Sequence, residues 1–84
     1  MSKYDPLFNY LNNCNKNEII LDFATLENIL GFSLPQSAYK YNAWWSNSTK
    51  GGQHPFASSW LDAGYKTADV NEMQKVKKMK FVKM

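Results

Sequence analysis

Residues 18–31 read Glu18-Ile19-Ile20-Leu21-Asp22-Phe23-Ala24-Thr25-Leu26-Glu27-Asn28-Ile29-Leu30-Gly31, and within them the pattern of the chain changes. Glu18–Leu21 is short and β-branched, the composition of a strand. Asp22 brings a carboxylate that can accept from the free N–H groups at a helix start. From Phe23 the apolar positions take helical spacing, with Phe23, Leu26, Ile29 and Leu30 on one face. Gly31 then offers the left-handed residue that ends a helix. A strand running straight into an amphipathic helix points to a mixed fold, in which helices cover one side of a sheet.

The flanking sequence extends this pattern of short elements. Asp5-Pro6 predicts a helix start, with Asp as the cap and Pro at the first position, carrying Leu7, Phe8, Tyr10 and Leu11. Asn12–Asn17 reads as a loop. Leu34-Pro35-Gln36-Ser37 opens another helical stretch, where Leu34, Ala38, Tyr41 and Trp45 recur as a core-facing stripe. Ser46–Gln53, with Gly51-Gly52, is a polar loop. His54-Pro55 restarts the chain as a helix with Phe56, Trp60 and Ala63 on one face and Gly64 as terminator. Tyr65–Met84 predicts two strands around a turn near Asn71–Gln74, with Met79 and Phe81 pointing one way and Lys78 and Lys80 the other. The expected fold is α+β: three or four short helices packed on a small antiparallel sheet of two or three strands. A helix-turn-helix-like arrangement is open to it through Phe23–Leu30, Gly31 and the helix after Pro35.

Composition bounds the function. With 84 residues, 44% hydrophobic and 15% aromatic, the chain is expected to form one small domain over 1–84. A barrel enzyme of about 250 residues is excluded on length. No run approaches the roughly 18 apolar residues that cross a bilayer, so no membrane partner is expected. Cys14 is the only cysteine, which rules out an intrachain disulfide and fits a cytoplasmic location. With a single His54 beside it, Cys/His zinc sites are out of reach, and neither a metal nor another cofactor is expected. The net charge is +3 and the pI near 9.0, carried by ten lysines and no arginine. Lysine lacks the planar fork that pairs with guanine, so nucleic-acid binding here would rest on phosphates, amide side chains and aromatic rings.

Tyr4-Asp5-Pro6-Leu7, Ile29-Leu30-Gly31, Leu34-Pro35 with Ser37-Ala38, Trp44-Trp45 with Asn47, and Trp60-Leu61 with Ala63-Gly64 follow one another along nearly the whole chain. In this order, closed by Phe81, they resemble an uncharacterised domain-of-unknown-function family of bacteria and their phages. The resemblance implies a short stand-alone protein and carries no activity to transfer. Members often have Arg after the Ser-Ala pair, where this chain has Tyr39. A phosphate contact made by that Arg would here fall to Lys40 or be absent.

The candidate binding residues gather around the tandem tryptophans. Adjacent side chains on a helix point about 100° apart, so both indoles do not fit easily into one small core. Trp45 belongs to the apolar stripe, whereas Trp44 falls on the flank with Lys40. An outward indole beside an amine can stack a base or anchor a protein partner, and it can equally cover a sheet edge. Ser37, Lys40, Asn47, Lys50 and Gln53 crowd the same region, and the Gly-Gly loop feeds a helix start that suits an anion. Lys78 and Lys80 form a cationic strand face, which either attracts phosphates or protects an edge strand from aggregation. His54 lacks a nucleophile or an orienting carboxylate nearby in sequence and reads as a helix cap. No acid pair has catalytic spacing, so no enzymatic activity is expected.

The expected function is therefore a small nucleic-acid-binding module, with DNA the nearer partner. Its lysines would contact phosphates and an exposed Trp44 would stack. The alternative is a phage or mobile-element interaction protein that inhibits a bacterial defence nuclease, of the anti-CRISPR or anti-restriction type. A homodimer is compatible with either.

Overall fold

The computed structural model describes residues 3–47 and 55–84. β1 (Glu18–Asp22) runs directly into α2 (Phe23–Leu30). The switch sits at Asp22, whose backbone is extended and whose carboxylate accepts from the Thr25 N–H at 2.7 Å. Hydrogen bonds from Thr25 hold this carboxyl below the usual aspartate range. At the other end Gly31 takes φ +83°, and its N–H returns to the Glu27 carbonyl at 2.8 Å.

β2 (Tyr65–Ala68) and β3 (Lys78–Lys83) complete an antiparallel sheet in the order β1-β3-β2. Ile19 and Thr67 flank Phe81, and Leu21 opposes Met79. These alternate residues, with Tyr65, are buried against the helices. α2 and α4 (Pro55–Leu61) pack on that inner face, and α1 (Asp5–Asn12) packs against both helices. Leu7, Leu11, Phe23, Leu26 and Trp60 fill the space between them. The Tyr65 hydroxyl reaches the carbonyls of Lys16 at 2.7 Å and Cys14 at 3.1 Å, tying down the loop before β1. The outer face carries Ile20, Lys66, Lys78, Lys80 and Val82, and among the described residues no helix packs over it. No helix among the described residues is long and apolar enough to cross a membrane.

The α+β class and the small antiparallel sheet are as expected, and three details differ. α1 begins at Asp5 with Tyr4 in the cap position, so Asp5 is its first residue and not its cap. The helix after Pro35 is short. α3 (Gln36–Lys40) stops where Tyr41 turns extended, at φ −116° and ψ 124°, and a 3₁₀ turn covers Asn42–Trp45. The Ala38 carbonyl, which a longer helix would give to residue 42, instead accepts from Trp45 Nε1 and from Gln74 Nε2, both at 2.8 Å. Tyr41 therefore leaves the apolar stripe and is 61% exposed. A five-residue α3 is also too short to act as the recognition helix of a helix-turn-helix.

The third difference is that the expected turn near Asn71–Gln74 is a helix, α5 (Val70–Lys75). Glu72, Met73, Gln74 and Lys75 are good helix formers, and Val70 and Met73 share the face that meets the core. Asp69 and Lys77 bracket α5 with positive φ, at 53° and 58°. The described residues thus hold five α-helices and one 3₁₀ turn, and α5 accounts for the helix beyond the expected number.

Candidate functional site

The two tryptophans of the 3₁₀ turn both join the aromatic interior. Trp45 is 1% exposed and stacks between Phe23 at 5.4 Å and Trp60 at 5.8 Å. Trp44 is half-buried, parallel to Phe56 at 4.0 Å and edge-on to Tyr4 at 6.4 Å. The expectation of an exposed Trp44 is corrected accordingly: one ring face is closed by Phe56. The tandem pair fits because α4 brings an aromatic side chain to each of its members, joined by Tyr4 at the cap of α1 and Phe23 of α2.

Asn47 is likewise occupied within the fold. Its Oδ1 accepts from Thr67 N at 2.9 Å and its Nδ2 donates to Thr67 O at 3.1 Å. That is the bonding a neighbouring strand would provide to the outer edge of β2. Oδ1 also accepts from Trp60 Nε1 at 3.0 Å. The Thr67 hydroxyl lies 3.0 Å from the same oxygen and 2.7 Å from the Trp45 carbonyl.

On the outer sheet face, Lys80 Nζ sits 2.7 Å from Asp69 Oδ2 and 3.8 Å from Glu18 Oε1. The hydrogen bond with Asp69 raises the Lys80 pKa. Lys78 is exposed and opposes Asp22 across the β1–β3 ladder. Glu18, Asp22 and Asp69 thereby balance Lys66, Lys78 and Lys80. A cationic strand face, expected from the sequence of β3 alone, is neutralised by acids from β1 and from the start of α5. Ser37 is exposed on α3. Lys50 and Gln53, with the Gly-Gly loop and His54, lie outside the described residues.

Among the described residues, Lys40 lines a concave site. With Tyr41 and Asn42 it faces Asn71, Gln74 and Lys75 of α5 across a shallow depression of about 450 Å³. That volume falls within the range of small-ligand sites. One wall is anchored to α2, because the Tyr39 hydroxyl donates to Glu27 Oε2 at 2.9 Å, and the same oxygen accepts from Leu34 N at 2.8 Å. Burial, reinforced by Glu27, raises the Tyr39 pKa. The other wall is held by Gln74, whose Nε2 donates to Ala38 O and, at 3.2 Å, to Tyr41 O. Asn42 Nδ2 donates to Asn71 Oδ1 at 3.3 Å across the floor. Sequence reasoning missed Tyr41, Asn42, Asn71, Gln74 and Lys75 as a group. The available signal was the run Val70–Lys75, whose helix-forming composition opposes the reading of a hairpin turn. Among the described residues no group of three or more His, Cys, Asp or Glu is placed to hold a metal ion.

Fold and surface together define a small α+β domain with a helix-covered sheet and an open, lysine-flanked depression. Residues 4–81 match the model of a family described as Domain of unknown function (DUF7662), and the chain belongs to that family. No curated protein and no solved structure matches the chain.

Proposed function

We propose that this chain is a small basic nucleic-acid-binding module whose contact surface is the depression between α3 and α5. The observation that carries this reading is the convergence of Lys40, Lys75 and the exposed Tyr41 on one concave site lined with amide side chains. Lysines on the rim neutralise phosphates, and Tyr41 offers a ring face for stacking in the role first expected of Trp44. The test is a fluorescence-anisotropy titration with a labelled single-stranded DNA oligomer at several salt concentrations. Affinity is expected to fall with salt, and Lys40→Gln and Lys75→Gln each to reduce the log–log slope by about 0.7. Binding that ignores ionic strength, or that survives the double substitution, overturns the reading.

The charge-balanced outer sheet face, with Ile20 47% exposed on its edge strand β1, favours a second reading. Such a surface suits a protein better than a phosphate backbone. In that case the chain is an interaction protein that inhibits a nucleic-acid-processing enzyme, such as the bacterial defence nucleases that phages encounter. Ile20→Lys abolishes inhibition under this reading and leaves oligonucleotide binding unchanged under the first.

A further inference from the structure

The hydrogen bonds across the depression leave a defined set of polar atoms for a ligand. Asn42 spends an Nδ2 hydrogen on Asn71 Oδ1, so Asn42 Oδ1 remains as an acceptor and Asn71 Nδ2 as a donor. Gln74 spends Nε2 on two backbone carbonyls, so its Oε1 remains as a second acceptor. The surface between the two lysines thus offers two side-chain carbonyl oxygens and one amide NH₂, next to the exposed Tyr41 ring.

We infer that this depression takes one unpaired nucleobase bearing an exocyclic amine beside a ring nitrogen, as in adenine or cytosine. The inference rests on the nucleic-acid reading above and specifies its ligand. An exocyclic amine has two hydrogens, one for Asn42 Oδ1 and one for Gln74 Oε1, and the adjacent ring nitrogen accepts from Asn71 Nδ2. Thymine has a single N–H on its pairing edge and leaves one of the two oxygens unmatched. Stacking on Tyr41 requires the base to be out of a duplex, so single strands are preferred over paired ones. Lys40 and Lys75 then meet the flanking phosphates, which adds affinity without sequence preference.

The experiment compares labelled dA, dC and dT homo-oligomers of equal length, and a duplex, against the full chain at one fixed salt concentration. Oligo-dA and oligo-dC are expected to bind about tenfold tighter than oligo-dT, the worth of one matched hydrogen bond. Asn42→Ala, at an exposed position, removes one of the two acceptors and is expected to reduce that preference to within about twofold while the salt dependence persists. Equal, salt-sensitive binding of all three oligomers, or tighter binding of duplex, overturns the base-reading inference and leaves the nucleic-acid reading standing. Absence of binding to every oligomer and to duplex overturns both.

Discussion

Replacing Asn47 by alanine strips partners from three buried groups at once. Trp60 Nε1 and Thr67 N lose their acceptor and Thr67 O loses its donor, while Trp60 is 0% and Thr67 5% exposed. A stranded buried polar group costs about 1–3 kcal/mol. Asn47 itself lies at the surface, so water enters the vacated space and recovers part of this. The net loss is then about 2–3 kcal/mol, a large share of the roughly 4–12 kcal/mol expected for a domain of this length. With a urea m-value of about 1 kcal/mol/M, the unfolding midpoint falls by about 2–3 M, read by tryptophan fluorescence. Asn47→Asp gives the mechanistic control. It keeps an acceptor for Trp60 and Thr67 N but sets a second carboxylate oxygen against the Thr67 carbonyl. Protonation restores a donor there, so the folded-state pKa of the new carboxyl lies above its unfolded value. The deficit of this variant should therefore shrink as pH falls from 7 to about 4. An Asn47→Ala midpoint within about 0.5 M of the parent refutes the assignment of Asn47 as a partner to buried groups.

Two further outcomes follow from local geometry. Burial raises the Tyr4 hydroxyl, burial with Glu27 raises Tyr39, and the Asp69 hydrogen bond raises Lys80. Their contributions are whole below about pH 10 and are lost as pH climbs through the folded pKa values. The depressed Asp22 contributes above about pH 4 and is lost as pH falls through its folded pKa. Urea midpoints should therefore decline on both sides of that window, and a midpoint still rising beyond about pH 10.5 contradicts the alkaline assignment. Lys77→Gly should stabilise by about 0.5 kcal/mol, because relief of the left-handed conformation exceeds the added freedom of the unfolded chain. Calorimetry should show this as a rise in Tm of about 2–4 °C, and a lower Tm contradicts it.

Elements specified by local chemistry were readable from the sequence. Asp22 and Gly31 mark both ends of α2, and Pro55 with Gly64 brackets the region of α4 because cap and terminator act within a turn of themselves. Tyr41 was misread because a periodic stripe assumes that the helix continues. Its interruption depends on Gln74, 33 residues later, taking the carbonyls of Ala38 and Tyr41. Lys80 was readable as outward-facing but not as neutralised, because Glu18 and Asp69 reach it only through the sheet order β1-β3-β2. Asn47 was noted for its polarity, and only the fold reveals that its amide is spent on Thr67. The depression escaped notice for the same reason: its walls come from segments that meet only in three dimensions.

The Thr67–Asn47 contact also limits how copies of this chain can join through their sheets. Lys83 N donates to Asn17 O and Phe23 N to Lys77 O, so odd-numbered residues of β1 face β3 and the peptide groups of Ile20 face away. One rim of the sheet can therefore accept a neighbour, while the other is blocked at Thr67 by Asn47. Head-to-tail stacking, which needs both rims and generates filaments, has no second surface to continue on. Edge-to-edge contact can only be isologous, two copies meeting through β1 about a two-fold axis, and such an assembly stops at the pair.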